Sequence, residues 1–215
     1  MKIQHNTFHM DFKGNISDNF GINAATTIDI AKFNGTSVDR KQRRDFQSSA
    51  VRELLDSALQ KHFPQNIDGT WIFNKSETGK PFLSGIDAPA ISISHSGAWC
   101  ASAISKASFV GIDIEEVKQR DWESYCKYAF HPEEAQWILA ATDRERDIRG
   151  LICWCRKEAF VKALGLSLSD SLLDIGFSAE GALIECPEEF GEPFDWKFLI
   201  EIISADLIVA VAWKN

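Results

Sequence analysis

Apolar and polar positions recur regularly enough to divide most of the chain into helices and strands. From Arg43 to about Phe63, Phe46, Ala50, Leu54 and Ala58 return every fourth residue, with Val51, Leu55 and Leu59 beside them. That spacing predicts an amphipathic helix, which Pro64 ends. A second long helix is predicted from Asp143 to Leu164, with Ile148, Ile152, Cys155 and Ala159 as its apolar stripe. Pro132, followed by Glu133 and Glu134, suits the first turn of a shorter helix, where proline lacks nothing and acids meet the positive end. Strands are predicted at Ala24 to Ala31, Thr70 to Phe73, Ala90 to Ser94, Trp99 to Ile104, Phe109 to Ile114, Ile175 to Phe177, Trp196 to Ile203 and Leu207 to Trp213. Short polar breaks separate the three central strands, which predicts an antiparallel meander.

The order of elements repeats. Each half of the chain has a long helix, a short aromatic strand with a glycine-containing turn, and a closing strand pair. This predicts an α+β fold of two halves, each of ordinary domain size. A ligand site is expected where they meet.

Composition narrows the function classes. The chain has 215 residues, 45% of them hydrophobic and 25% charged, as in ordinary globular proteins. No run approaches the ~18 apolar residues of a membrane span. Met1-Lys2-Ile3-Gln4-His5 carries no apolar block, so a cytoplasmic protein is expected. Five cysteines lack zinc-like spacing, and Cys153 and Cys155 on a helix suit core packing. A formal charge of -8 argues against nucleic-acid binding. The basic residues Arg40, Lys41, Arg43, Arg44 and Arg52 are nevertheless clustered, as either a solvated helix start or an anion contact.

Within Gly111-Ile112-Asp113-Ile114-Glu115, period-two alternation puts Asp113 and Glu115 on one strand face. Two carboxylates this close repel unless one is protonated or a cation lies between them, and a pair of oxygen donors suits Mg2+. The alternative is an acidic solvent face. Glu158 and Lys162, four apart, share a helix face; they are either a surface ion pair or a third carboxylate with a phosphate-facing lysine, Lys157 flanking it. Ser92-Ile93-Ser94-His95-Ser96-Gly97 gathers donors fit for a phosphate rim. No G-x-S-x-G accompanies its serines, which disfavours a hydrolase.

Taken in order, Gly79-Lys80-Pro81, Ser94-His95-Ser96, Gly111 to Glu115, and Trp154-x-x-Lys157-Glu158-x-x-x-Lys162-x-x-Gly165 resemble the motifs of the surfactin-type (Sfp-type) 4′-phosphopantetheinyl transferases. The resemblance spans about residues 40 to 177 and implies a pseudo-dimer of two similar α+β halves. Residues 1–108 would contact the nucleotide of coenzyme A. Residues 109–215 would hold the metal, the diphosphate lysines and the carrier-protein contact. It also implies transfer of the phosphopantetheine arm to a serine of an acyl or peptidyl carrier protein, by a monomer. Carried over by position, Asp113, Glu115 and Glu158 would bind Mg2+. Lys157 and Lys162 would lie near the diphosphate, Arg52, His95 and Arg40 near the 3′-phosphate, and Lys80 and Pro81 beside the adenine, with Ser94 at the rim. Glu158 or Glu134 would take the serine proton, and Lys162 would assist. Two positions depart from the pattern: Ser92 stands where many relatives have asparagine, and Ser167 where many have glycine. The rival reading is a non-catalytic coenzyme A or nucleotide-binding module of the same fold.

Overall fold

The computed structural model describes residues 6–8, 26–32, 40–63, 71–166 and 172–214. The first half contributes strands β1 (Asn6–Phe8) and β2 (Thr26–Lys32), helix α1 (Arg40–His62), and a hairpin of β3 (Ile72–Lys75) with β4 (Pro81–Ser84). Next come β5 (Ala90–Ser96), β6 (Trp99–Ser105) and β7 (Phe109–Glu116). Helices α2 (Trp122–Tyr128), α3 (Pro132–Leu139) and α4 (Asp143–Leu164) follow. The chain then forms a hairpin of β8 (Gly176–Phe177) with β9 (Leu183–Glu185), and a closing pair of β10 (Lys197–Ser204) with β11 (Leu207–Lys214). Helix α4 has the predicted bounds, ending where Gly165 takes a left-handed φ of 77°.

The predicted meander is half right. β5 and β6 pair antiparallel, but β7 leaves them and pairs with β11 instead. The reason is that β6 uses its second edge for β2, giving one sheet ordered β1-β2-β6-β5 and another ordered β10-β11-β7. The chain crosses between sheets at Lys106-Ala107-Ser108.

The two sheets pack face to face. Ile28, Ile30, Ala101 and Ala103 from the first meet Val110, Ile112, Ile114, Val209 and Val211 from the second. Helix α1 covers the outer face of the first sheet through Val51, Leu54, Leu55 and Ala58, against Cys100, Ile91 and Ile104. Helix α4 covers the outer face of the second. The molecule is therefore layered helix, sheet, sheet, helix.

Helix α4 lies close on its sheet because small residues meet there. Gly111, Ala210 and Ala212 face Ala159 and Ala163, and a Cβ on Gly111 would overlap the Ala159 carbonyl oxygen. This seam decides the site. It puts the acidic face of β7, which the alternation alone left open to solvent, under α4, where Asp113 is only 2% exposed.

Candidate active site

Strand β7 delivers Asp113 and Glu115, and α4 delivers Glu158 one turn beyond Cys155, into one recess. One oxygen from each carboxylate lies within 4.8 Å of the others. Lys162, on the same helix face as Glu158, sits among them: its Nζ is 2.6 Å from Asp113 Oδ1, 2.9 Å from Ser94 Oγ and 3.6 Å from Glu158 Oε2. Arg120 Nη2 donates to Glu115 Oε2 at 3.0 Å.

Burial and crowding show in the acidities. Burial, with Asp113 close by, pushes Glu158 up to about 8. Burial and Asp113 also raise Glu115, against the opposing pull of Arg120 and Ser96. Burial opposes the charge on Lys162, but Asp113 and Glu158 outweigh it and hold its pKa above the ordinary range.

A divalent cation fits these groups. Asp113 Oδ2 is buried and has no hydrogen-bond partner among the described residues, although a carboxylate oxygen in that position needs one. The donors are all oxygens on rigid elements, as hard cations require. A bound cation would have to displace the Glu158 proton. Affinity for Mn2+, read by electron paramagnetic resonance, is therefore expected to climb about tenfold per pH unit up to roughly pH 8 and then flatten. The metal-free protein is expected to show the complementary trend in a pH series of thermal melts. A carboxyl raised from 4.5 to about 8 on folding contributes stability that is full below pH 4.5 and lost as pH rises through 8.

The recess is the floor of a cleft of about 640 Å³. Arg52, Lys80, Pro81, Ser94, His95 and Lys162, all expected at a ligand, line it together with the three carboxylates. Arg52 reaches the wall over the Phe73 ring, 3.7 Å from its centroid, and pairs with Asp56 at 3.0 Å. Lys80 ties the β3–β4 hairpin to the end of α4. Its Nζ donates to Ala163 O at 2.5 Å, and Thr78 Oγ1 donates to Gly165 O at 3.0 Å. Burial lowers the Lys80 pKa. The Arg40 backbone opens α1, and the expectation for its side chain falls outside the described residues.

Two expected residues lie elsewhere. Lys157 is fully buried on the far side of α4, 2.8 Å from Glu134 Oε2, and donates to Leu172 O and Ile175 O. Glu134 accepts from His131 N and closes the N-terminus of α3. Neither lines the cleft. The physical reason is helical: neighbours on a helix diverge by ~100°, so a face shared by Glu158 and Lys162 turns Lys157 away.

Phe73 and Lys75 on the cleft wall and Arg120 behind Glu115 were not singled out from sequence. Ser96, expected among the phosphate-rim donors of β5, donates to Glu115 Oε2 at 2.9 Å instead.

Comparison with known proteins bears on this arrangement. The 4′-phosphopantetheinyl transferase psf-1 of Bacillus pumilus is 32% identical over 135 residues, covering 61% of this chain and 57% of the relative. The transferase AcpT of Salmonella typhi is 36% identical over 121 residues, covering 54% of the chain and 57% of the relative. A putative 4′-phosphopantetheinyl transferase of Haemophilus influenzae is 27% identical over 164 residues, 72% and 67% of the two chains. The chain thus spans little more than half the length of the first two. A family model described as the 4′-phosphopantetheinyl transferase superfamily matches residues 109–212, the segment carrying β7, α4 and all three carboxylates.

Proposed function

We propose that this protein is an Sfp-type 4′-phosphopantetheinyl transferase. It moves the phosphopantetheine arm of coenzyme A to a serine of an apo acyl or peptidyl carrier protein and releases adenosine 3′,5′-bisphosphate. It works as a cytoplasmic monomer whose two α+β halves, 1–108 and 109–215, form a pseudo-dimer around the cleft. The observation that carries the reading is the convergence of Asp113, Glu115 and Glu158 at the floor of a cleft rimmed by Arg52, Lys80 and His95. No helix among the described residues is long and apolar enough to cross a membrane.

Asp113, Glu115 and Glu158 would hold Mg2+, which draws charge from diphosphate oxygens as the P–O bond breaks. The chain's own groups supply the rest. Lys162, whose ammonium lies among the acids here, would swing from the cation's place to meet a diphosphate oxygen. Arg52 and His95 face the 3′-phosphate, and Lys80 with Pro81 lies beside the adenine. The carrier serine Oγ forms a bond to the β-phosphorus, and the bond from that phosphorus to the bridging oxygen breaks. The adenosine bisphosphate leaves with the electron pair. Glu158 takes the serine proton, a role supported by its place at the floor of the cleft beside Asp113 and Lys162. Glu134 is disfavoured as the base because its carboxylate is engaged by Lys157 outside the cleft.

The test is direct. Incubated with coenzyme A, Mg2+ and apo carrier proteins, the chain is expected to add about 340 Da to one carrier serine, the mass of the arm moved by this phosphoryl chemistry. Coenzyme A binding without a mass gain on any carrier would favour the non-catalytic module instead.

A further inference from the structure

Strand β7 ends its sheet, yet its outer edge is not bare. An edge strand presents a row of backbone donors that need partners when buried. Here the partners are side chains. Ile112 N donates to Ser92 Oγ at 3.0 Å, Ile114 N to Ser94 Oγ at 3.4 Å, and Glu116 N to Ser96 Oγ at 3.3 Å. The offset is constant, so β5 runs alongside β7 in the same direction and its hydroxyls stand where a neighbouring strand's carbonyls would be.

A serine hydroxyl that accepts from an N–H still has its proton to give. Ser94 gives it to Asp113 Oδ1 at 2.8 Å, and Ser96 to Glu115 Oε2 at 2.9 Å. Ser92 has no such carboxylate opposite it on β7, where the corresponding residue is Gly111. The sequence pattern Ser-x-Ser-x-Ser is thus matched tooth for tooth by Gly-x-Asp-x-Glu. With Oε2 of Glu115 held by Ser96 and Arg120, only Oε1 is left to turn into the recess.

We infer that Ser92, Ser94 and Ser96 form a side-chain ladder that sets the register between the two sheets, and that Ser96 is a positioning residue aiming Glu115 at a divalent cation. The inference rests on reading Asp113, Glu115 and Glu158 as a cation site. It separates two tasks within one ladder: Ser92 seals the edge only, whereas Ser96 seals the edge and orients a ligand.

The experiment measures Mn2+ affinity by electron paramagnetic resonance and Tm by calorimetry on the full chain without coenzyme A. Ser96→Ala is expected to weaken Mn2+ binding by about tenfold or more, the usual effect of removing a group that orients a metal ligand. Ser96→Thr keeps the hydroxyl and is expected to restore affinity. Ser92→Ala is expected to lower the Tm by a few degrees and leave Mn2+ affinity unchanged. Ser96→Cys, close in size but a poor donor, gives the same reading as Ser96→Ala should the alanine variant not fold. Wild-type Mn2+ affinity in Ser96→Ala or Ser96→Cys overturns the inference. So does an equal loss of affinity in the Ser92 and Ser96 variants, which would mean that the ladder acts on folding alone. Failure of the wild-type chain to bind Mn2+ overturns the cation site itself, and the inference with it.

Discussion

Glu158→Gln is expected to lower phosphopantetheinyl transfer by about 10²–10⁴-fold at saturating coenzyme A, the range for a lost general base. The same variant is expected to keep or raise the Tm of the metal-free protein. Its amide removes a carboxylate that burial and Asp113 already disfavour in its charged form, and the cationic neighbour Lys162 stays bound to Asp113 at 2.6 Å. A drop in turnover with unchanged folding is what separates this role from a structural one. Near-normal turnover with Mg2+ bound would end the assignment of Glu158 as both ligand and base. The measurement is intact mass of the carrier over time, alongside a thermal melt.

The second large effect concerns stability. Lys157→Met is expected to destabilise the fold by about 3–5 kcal/mol, the usual loss when one member of a buried ion pair is removed. For a chain of this size that lowers the Tm by roughly 6–20 °C. The pair is completely buried, and Glu134 Oε1 has no hydrogen-bond partner among the described residues, so Lys157 is the main compensation for that carboxylate. Glu134→Gln with Lys157→Met is expected to recover most of the loss, because two neutral groups of similar size need no counter-charge. Some deficit remains, since Lys157 also holds the carbonyls of Leu172 and Ile175. Calorimetry of the single and double variants checks this. Additive losses in the double variant would show that the two charges do not act as a pair.

Much of the site could be read before the structure, because its signals are local. The i,i+4 spacing of Glu158 and Lys162 fixes a common helix face, and alternation along β7 fixes a common strand face for Asp113 and Glu115. Only the ordered motifs suggested that these two faces meet. What closes them is the seam of Gly111, Ala210 and Ala212 under Ala159 and Ala163, a long-range fit that no single window contains. The placement of Lys157 was readable in principle, since helical geometry turns it from Glu158, but its adjacency in the motif suggested a shared task. The pairing of β7 with β11 rather than β6 was not readable, because both partners are apolar strands and the choice depends on which edge β2 occupies. The alternating serines read as donors for a phosphate rim. Only the neighbouring strand edge gives them a purpose.

The layered core has a consequence for any attempt to work with part of this protein. The segment 109–212 contains the three carboxylates and the helix that covers them, but not the first sheet, on which the other face of β7 packs. Cut free of the first sheet, it would show water a slab of Val110, Ile112, Ile114, Leu207, Val209 and Val211, beside a strand edge whose three backbone donors have lost their serine partners. Greasy slabs with open edges recruit copies of themselves. The first sheet thus covers an apolar face of the second, and a fragment lacking it is expected to self-associate, which light scattering beside the full chain would show.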